Sequence, residues 1–186
     1  MADKKLTRDS IAAAALDLLN EQGLDQLSLR KLAARLDVKA PSLYWHVADK
    51  NALLALLAES VFVDCLARIP AGAHWRDWLR AFGEALWQAQ KHTRDAGRLI
   101  LMTAQDEAVL VRMEHAVLAP LTALGLSAPQ ALSMQASVQA FVTGWTSFAQ
   151  GPNAAYLQAH MSIDTAFAQG LDALLRGFDH TIDPEN

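Results

Sequence analysis

The sequence predicts an all-α fold. Apolar residues recur at spacings of three and four along most of the chain, and alternating Val/Ile-rich runs of the strand type are nearly absent. Residues suited to helix caps interrupt this pattern at ordinary helix lengths. No internal repeat at a solenoid period is present. The expected organisation is an N-terminal three-helix helix-turn-helix domain, joined by a long helix to an α-helical C-terminal domain.

A first helix is expected over Arg8–Gln22, with Thr7 as N-cap and Gly23 just past its end. Ile11, Ala14, Ala15, Leu18 and Leu19 share one face. A second, short helix is expected over Leu29–Leu36. Ser28 can cap it, and Leu27 with Leu32 has the spacing of a hydrophobic staple. Its inward face is Leu29, Leu32, Ala33 and Leu36; its outward face is Arg30, Lys31, Ala34 and Arg35. Asp37-Val38-Lys39 reads as a three-residue turn. A third helix opens at Pro41, because the first helical position has no N–H partner for proline to lose, and ends near Val47.

Asp49 can cap a fourth helix reaching Arg68, apolar over much of its surface through Leu53, Leu54, Leu56, Leu57, Val61 and Leu66. Pro70-Ala71-Gly72-Ala73 reads as a domain boundary. The helix-turn-helix domain is therefore placed at residues 1–50, the connecting helix at 49–68 and the C-terminal domain at 70–186. Within the last, helices are expected at 74–91, 95–102, 105–124, 128–150 and 163–178. Residues 153–160 give no clear pattern, and the tail 181–186 is expected to be loose.

Composition narrows the function. The chain has 186 residues, a hydrophobic fraction of 52% and a formal charge of −4. Its charge is uneven. Residues 1–50 hold eight Lys/Arg against seven Asp/Glu, while residues 51–186 hold eight against thirteen. Between Gln26 and Lys50 five cations (Arg30, Lys31, Arg35, Lys39, Lys50) face two acids (Asp37, Asp49). A basic patch on an acidic body suits a DNA binder. It also suits an ordinary solvated helix. The single cysteine, Cys65, has no partner for an internal disulfide and fits a reducing compartment. The polar start Met-Ala-Asp-Lys-Lys is unlike a signal peptide, and no apolar run is long enough to span a bilayer. A cytoplasmic protein without membrane contact is expected.

Two short helices joined by a three-residue turn, with a supporting helix before them, describe a helix-turn-helix. The third helix reads Ala40-Pro41-Ser42-Leu43-Tyr44-Trp45-His46-Val47. Leu43 and Val47, four apart, face inward and leave Ser42, Tyr44, Trp45 and His46 outward. Large aromatics exposed together are uncommon on a soluble helix. On a groove-facing helix, hydroxyls and an imidazole can bond phosphates, and rings can pack on thymine methyl groups. Lys50 opens the fourth helix, where free backbone N–H groups and a lysine attract a phosphate.

Residues 27–57, which include the stretch LSLRKLAARLDVKAPSLYWHVADKNALL, resemble the DNA-binding domain of TetR-family repressors. They carry Arg-Lys-Leu-Ala, the short turn, Leu-Tyr and the following Lys-x-x-Leu-Leu. Leu-Tyr-Trp-His-Val and His74-Trp75-Arg76-Asp77-Trp78-Leu79 resemble the tetracycline repressor branch. The likeness is strong over residues 5–66 and traceable to Phe167-Ala168-Gln169-Gly170-Leu171. It implies a double-stranded DNA operator as partner, contacted by Arg30, Ala40, Pro41, Ser42, Tyr44, Trp45, His46 and Lys50. Ala40 departs from the family, where a polar side chain able to bond a base is common, and so implies a different operator.

The resemblance also implies an effector pocket in an α-helical ligand-binding and dimerisation domain. Leu66, Phe82, Leu86, Ile100, Thr103, Met113, Phe141 and Trp145 are the candidate lining residues. Aromatic and Met positions at helical spacing are equally a plain core. In the tetracycline repressor branch histidines and an asparagine hold the drug with magnesium. Leu66, Phe82 and Ile100 stand at the matching positions here, with Thr103 kept. Apolar side chains cannot ligate magnesium, so an apolar small-molecule effector without metal or cofactor is expected. The six histidines lack metal-binding spacings, and no nucleophile elbow is present, so no catalytic residue is assigned.

Small residues mark a surface for self-association. Ala136, Ala140, Gly144 and Ser147 form one stripe, and Ala166, Gly170, Ala173 and Gly177 another. Helices 128–150 and 163–178 of two copies are expected to build a homodimer; close packing within one chain is the alternative. The combined expectation is a homodimeric repressor released from a palindromic operator by a small molecule. An all-α small-molecule binding protein without a DNA-regulatory role is the other reading.

Overall fold

The computed structural model describes residues 6–70 and 74–179. Ten α-helices and no strand are present among the described residues. They are α1 (Arg8–Gln22), α2 (Leu29–Leu36), α3 (Ala40–Tyr44), α4 (Lys50–Ala67), α5 (Trp75–His92), α6 (Ala96–Met102), α7 (Glu107–Ala123), α8 (Ala128–Gln150), α9 (Ala154–His160) and α10 (Ile163–Gly177). One 3-10 turn, Leu24–Gln26, follows α1. Three of the four residues of the expected boundary, Ala71 to Ala73, and the tail 181–186 lie outside the described residues.

Local chemistry accounts for the helix ends. The Thr7 hydroxyl accepts from the Ser10 N–H at 3.1 Å while Ser10 returns a bond to the Thr7 backbone, a reciprocal capping box. Ser28 caps α2 at the Lys31 N–H, and Asp49 caps α4 at the Ala52 N–H, 2.8 Å away. Asp37 ends α2 in the left-handed conformation, φ 55° and ψ 44°. The N–H groups of Asp37 and Val38 then close on the carbonyls of Ala34 and Ala33. α3 begins one residue earlier than expected, at Ala40, and its regular part stops at Tyr44. Residues up to Val47 still hold helical bonds, since the N–H groups of His46 and Val47 both reach the Leu43 carbonyl. The unclear stretch 153–160 is largely a helix, α9.

The chain forms two compact units, residues 1–63 with 90–106, and residues 64–89 with 107–186. The first unit thus includes a segment distant in sequence. Its core joins Ile11, Ala15, Leu19, Leu27, Leu32, Leu43, Val47, Leu53 and Leu57 to Leu99 of α6. The turn between α5 and α6 is tied to the turn after α1. The Asp95 carboxylate accepts from the Leu24 N–H at 2.8 Å, and the Arg94 N–H donates to Asn20 Oδ1 at 2.9 Å. Arg94 also donates from its guanidinium to the Glu21 carbonyl, and Arg98 pairs with Asp25. Gly23 sits at the seam with φ +80°, and a Cβ there would lie 3.0 Å from the Arg94 side chain.

In the second unit α5, α8 and α10 pack closely. A Cβ on Gly83 would meet Val138 and Leu171, and one on Gly170 would meet the Phe141 ring at 2.8 Å. Phe167 stacks on Trp87 with ring centroids 4.3 Å apart, and Trp78 stacks on Phe82. The Trp87 indole N–H donates to Asp164 at 3.1 Å, which gives its one polar atom a partner. Cys65 is buried, and that burial pushes its thiol up to about 11, as suits a packing role rather than a reactive one. At the surface, Asp172 accepts from Arg80 at 2.6 Å and pairs with Arg176 at 2.9 Å, while Arg76 pairs with Asp179.

The Arg80 hydrogen bond, aided by the Arg176 charge, holds the Asp172 carboxyl below its ordinary value of 3.8. A lowered carboxyl stabilises the folded state above its unfolded pKa, and that contribution is lost as pH falls through the folded value. Asp172→Asn is therefore expected to lower stability at neutral pH. In urea unfolding followed by circular dichroism, the gap to the parent protein should narrow as the pH falls below 3.8 and on through the lower folded value.

Candidate nucleic-acid interface

The eight residues expected to meet DNA are all exposed: Arg30 on α2, Ala40, Pro41, Ser42 and Tyr44 on α3, Trp45 and His46 just after it, and Lys50 at the start of α4. Two buried neighbours enforce this. Leu43 and Val47 retain 1% and 2% of their exposure, whereas Tyr44 keeps 53% and Trp45 keeps 90%. Side chains four apart on a helix share a face, so sinking that pair turns the residues between them outward. Burying a leucine side chain is worth about 1.5–3 kcal/mol. Rotating α3 to hide Trp45 would expose Leu43 and Val47 instead.

The five cations between residues 26 and 50 divide into two groups. Arg35 makes a two-pronged bond to Glu21 of α1, at 2.7 and 2.8 Å, with Asp17 at 3.6 Å. The same bond holds the Glu21 carboxyl below its usual range. Lys31 donates to Gln22 at 2.7 Å and Gln26 at 3.3 Å. These two side chains fasten α2 to the end of α1. Arg30, Lys39 and Lys50 are exposed and have no ion-pair partner among the described residues. Those three bracket α3: Arg30 is the second residue of α2, Lys39 directly precedes α3, and Lys50 is the first residue of α4.

The arrangement is a helix-turn-helix: α2, a turn of residues 37–39, and α3, with α1 packed on α2 behind them. The family model for bacterial regulatory proteins of the tetR family matches residues 11–57, the segment that holds this surface. The tetracycline repressor protein class D of Escherichia coli is 34% identical over 94% of this chain and 90% of its own length. The chain belongs to the tetR family. It is a DNA-binding transcriptional regulator. Solved tetR-family structures agree along nearly the whole length. A TetR variant from Acinetobacter baumannii AYE in complex with minocycline is 34% identical, with a TM-score of 0.76 over 95% of this chain and 98% of that one. TetR class A in complex with 5a,6-anhydrotetracycline and magnesium is 32% identical, with a TM-score of 0.72 over 94% and 98%.

The tetR-family effector residues named from the sequence are placed unevenly. Leu66, Phe82, Leu86, Met113, Phe141 and Trp145 belong to the second unit, while Ile100 and Thr103 belong to the first. Phe82 and Leu86 are fully buried core residues, and the other six are half-buried. Phe141 lies 5.6 Å from Phe167 and 6.2 Å from Trp145 between ring centroids, so its ring faces both α10 and its own helix. The positions that the resemblance matches to the magnesium-holding histidines and asparagine do not fit that ion. Leu66, Phe82 and Ile100 offer no oxygen or nitrogen donor.

Of the two small-residue stripes, the one on α8 is open: Ala136, Ala140, Gly144 and Ser147 are all exposed. On α10 Ala173 and Gly177 are exposed as well, but Gly170 is taken up by Phe141 of the same chain. That position serves packing within the chain. No single helix among the described residues is long and apolar enough to cross a membrane.

The division of labour on α3 is testable by unfolding alone. Trp45→Ala, which removes an exposed ring, should shift stability by less than about 0.5 kcal/mol. Leu43→Ala, which empties a packed site, should cost about 2–5 kcal/mol. Denaturant titration of the two variants reads both values.

Proposed function

We propose that the chain acts as a cytoplasmic homodimeric repressor, holding a roughly palindromic operator through two copies of residues 41–47. One observation carries this reading. Ser42, Tyr44, Trp45 and His46 stand exposed together over the buried Leu43 and Val47, flanked by the exposed cations Arg30 and Lys50. A two-turn helix of that kind enters a major groove, and charges on either side of it meet the phosphate backbone. Arg30 and Lys50 take phosphates in this scheme. Ser42, Tyr44 and His46 take bases or phosphates, and Ala40, Pro41 and Trp45 make apolar contacts.

The open α8 stripe, with Ala173 and Gly177 of α10, supports pairing of two copies in which helices approach closely. Two half-sites then fall about one helical turn, or a multiple, apart. The effector is an apolar small molecule bound without metal among the aromatic and aliphatic residues of the second unit, with Met113, Phe141 and Trp145 half-buried there. The relatives solved with minocycline or with anhydrotetracycline and magnesium support a small-molecule effector as such. The apolar side chains at Leu66, Phe82 and Ile100 argue against that same metal-bound drug. A ligand that prefers the spacing unsuited to the operator lowers DNA affinity by its differential binding.

Lys50→Ala is expected to weaken binding to matched and unmatched DNA alike. It should also flatten the slope of log affinity against log salt by about 0.9 for each phosphate that is no longer neutralised. His46→Ala is expected instead to change the preferred sequence. Fluorescence anisotropy on random and selected duplexes separates the two; identical behaviour of both variants would sink the assignment of roles.

Sedimentation at micromolar protein should give a dimer. A bulky charge placed on the open stripe, Gly144→Glu, should give a folded monomer with lower operator affinity. A monomeric parent protein would rule the homodimer out.

A further inference from the structure

We infer that Lys39 reads a guanine in each operator half-site, a contact outside the set supplied by the family resemblance. The inference rests on the reading of α3 as the groove-facing helix. Three observations lead to it. Lys39 is exposed and has no ion-pair partner among the described residues, unlike Lys31 and Arg35, which are fastened to α1 and its following turn. Its backbone is extended, φ −72° and ψ 139°, and its side chain makes no capping bond to α3. The ammonium group is therefore committed to nothing among the described residues.

Position supplies the second argument. In a helix-turn-helix the first residues of the second helix meet base edges, while the preceding helix crosses the backbone. Arg30 and Lys50 belong to the flanking helices α2 and α4. Lys39 sits between them, directly before the first residue of α3.

The third argument is the neighbouring chemistry. Ala40 and Pro41 are exposed and carry no hydrogen-bonding side chain. Lys39 and Ser42 are thus the polar side chains at the start of the reading segment, and Lys39 has the longer reach. An ammonium group only donates. Guanine offers two acceptors, N7 and O6, side by side in the major groove, whereas adenine and cytosine each present an amino donor there and thymine only one acceptor, O4, beside its methyl group. Guanine is the base that suits a lone lysine at this place.

The test uses the full-length protein and selection of bound duplexes from random DNA, with parent, Lys39→Gln, Lys39→Arg and Ser42→Ala compared. The parent should select guanine at one position per half-site, by about tenfold over other bases. Lys39→Gln should lose that preference, and Lys39→Arg, which also pairs with guanine, should keep it. An unchanged guanine preference in Lys39→Gln overturns the inference. So does a uniform loss of affinity with a flatter salt dependence, which would mark Lys39 as a phosphate contact. If Ser42→Ala changes the selected sequence while Lys39→Gln does not, only the Lys39 inference falls. If neither changes it, the reading of α3 falls as well.

Discussion

The first unit depends on the burial of Leu43 and Val47. Both insert into the core that α1, α2 and α4 supply through Ile11, Leu19, Leu32, Leu53 and Leu57. α3 is too short to be stable alone, because a few helical bonds cannot repay the cost of nucleation. Its orientation is therefore borrowed from that core. Once the pair is sunk, the exposure of Tyr44, Trp45 and His46 is no longer a free choice of the side chains. The polar fastenings from Arg35 and Lys31 to α1 and the turn after it act on the same object from the other side, by fixing α2 and hence the turn 37–39.

Much of this was legible because it is local. The caps at Thr7, Ser28 and Asp49 act within three residues, and each is where the sequence placed it. The inward and outward faces of α2 and α3 followed from spacing alone. α3 began a residue early because proline is tolerated over the first turn of a helix and does not mark its first residue uniquely. α9 escaped because its buried face is weak: none of its residues is fully buried. A helix that buries little leaves little pattern to read.

Long-range pairing was not legible. The 3-10 turn Leu24–Gln26 owes its start to a carboxylate 71 residues away, which no short window of sequence contains. Arg35 looked like any other member of a basic patch. Its bond to Glu21 crosses from one helix to another, and helical spacing along a single helix cannot show it. The same reasoning separates the cations that hold the fold from those left for a partner. At the candidate DNA surface the sequence could name the cluster, and only the packed structure could divide it. For the effector residues the spacing could not tell core from lining: Phe82 and Leu86 proved fully buried, and Gly170 proved to be filled by Phe141.

The turn between α5 and α6 also bears on how such proteins can be recombined. Asp95 satisfies a backbone group of the turn after α1 and Arg94 one at the end of α1, and Leu99 completes the core beneath them. The heritable module is consequently discontinuous. A hybrid regulator that carries over only the first fifty residues would bring a reading head with a missing brace. One that transfers residues 1–63 together with 90–106 carries the module whole.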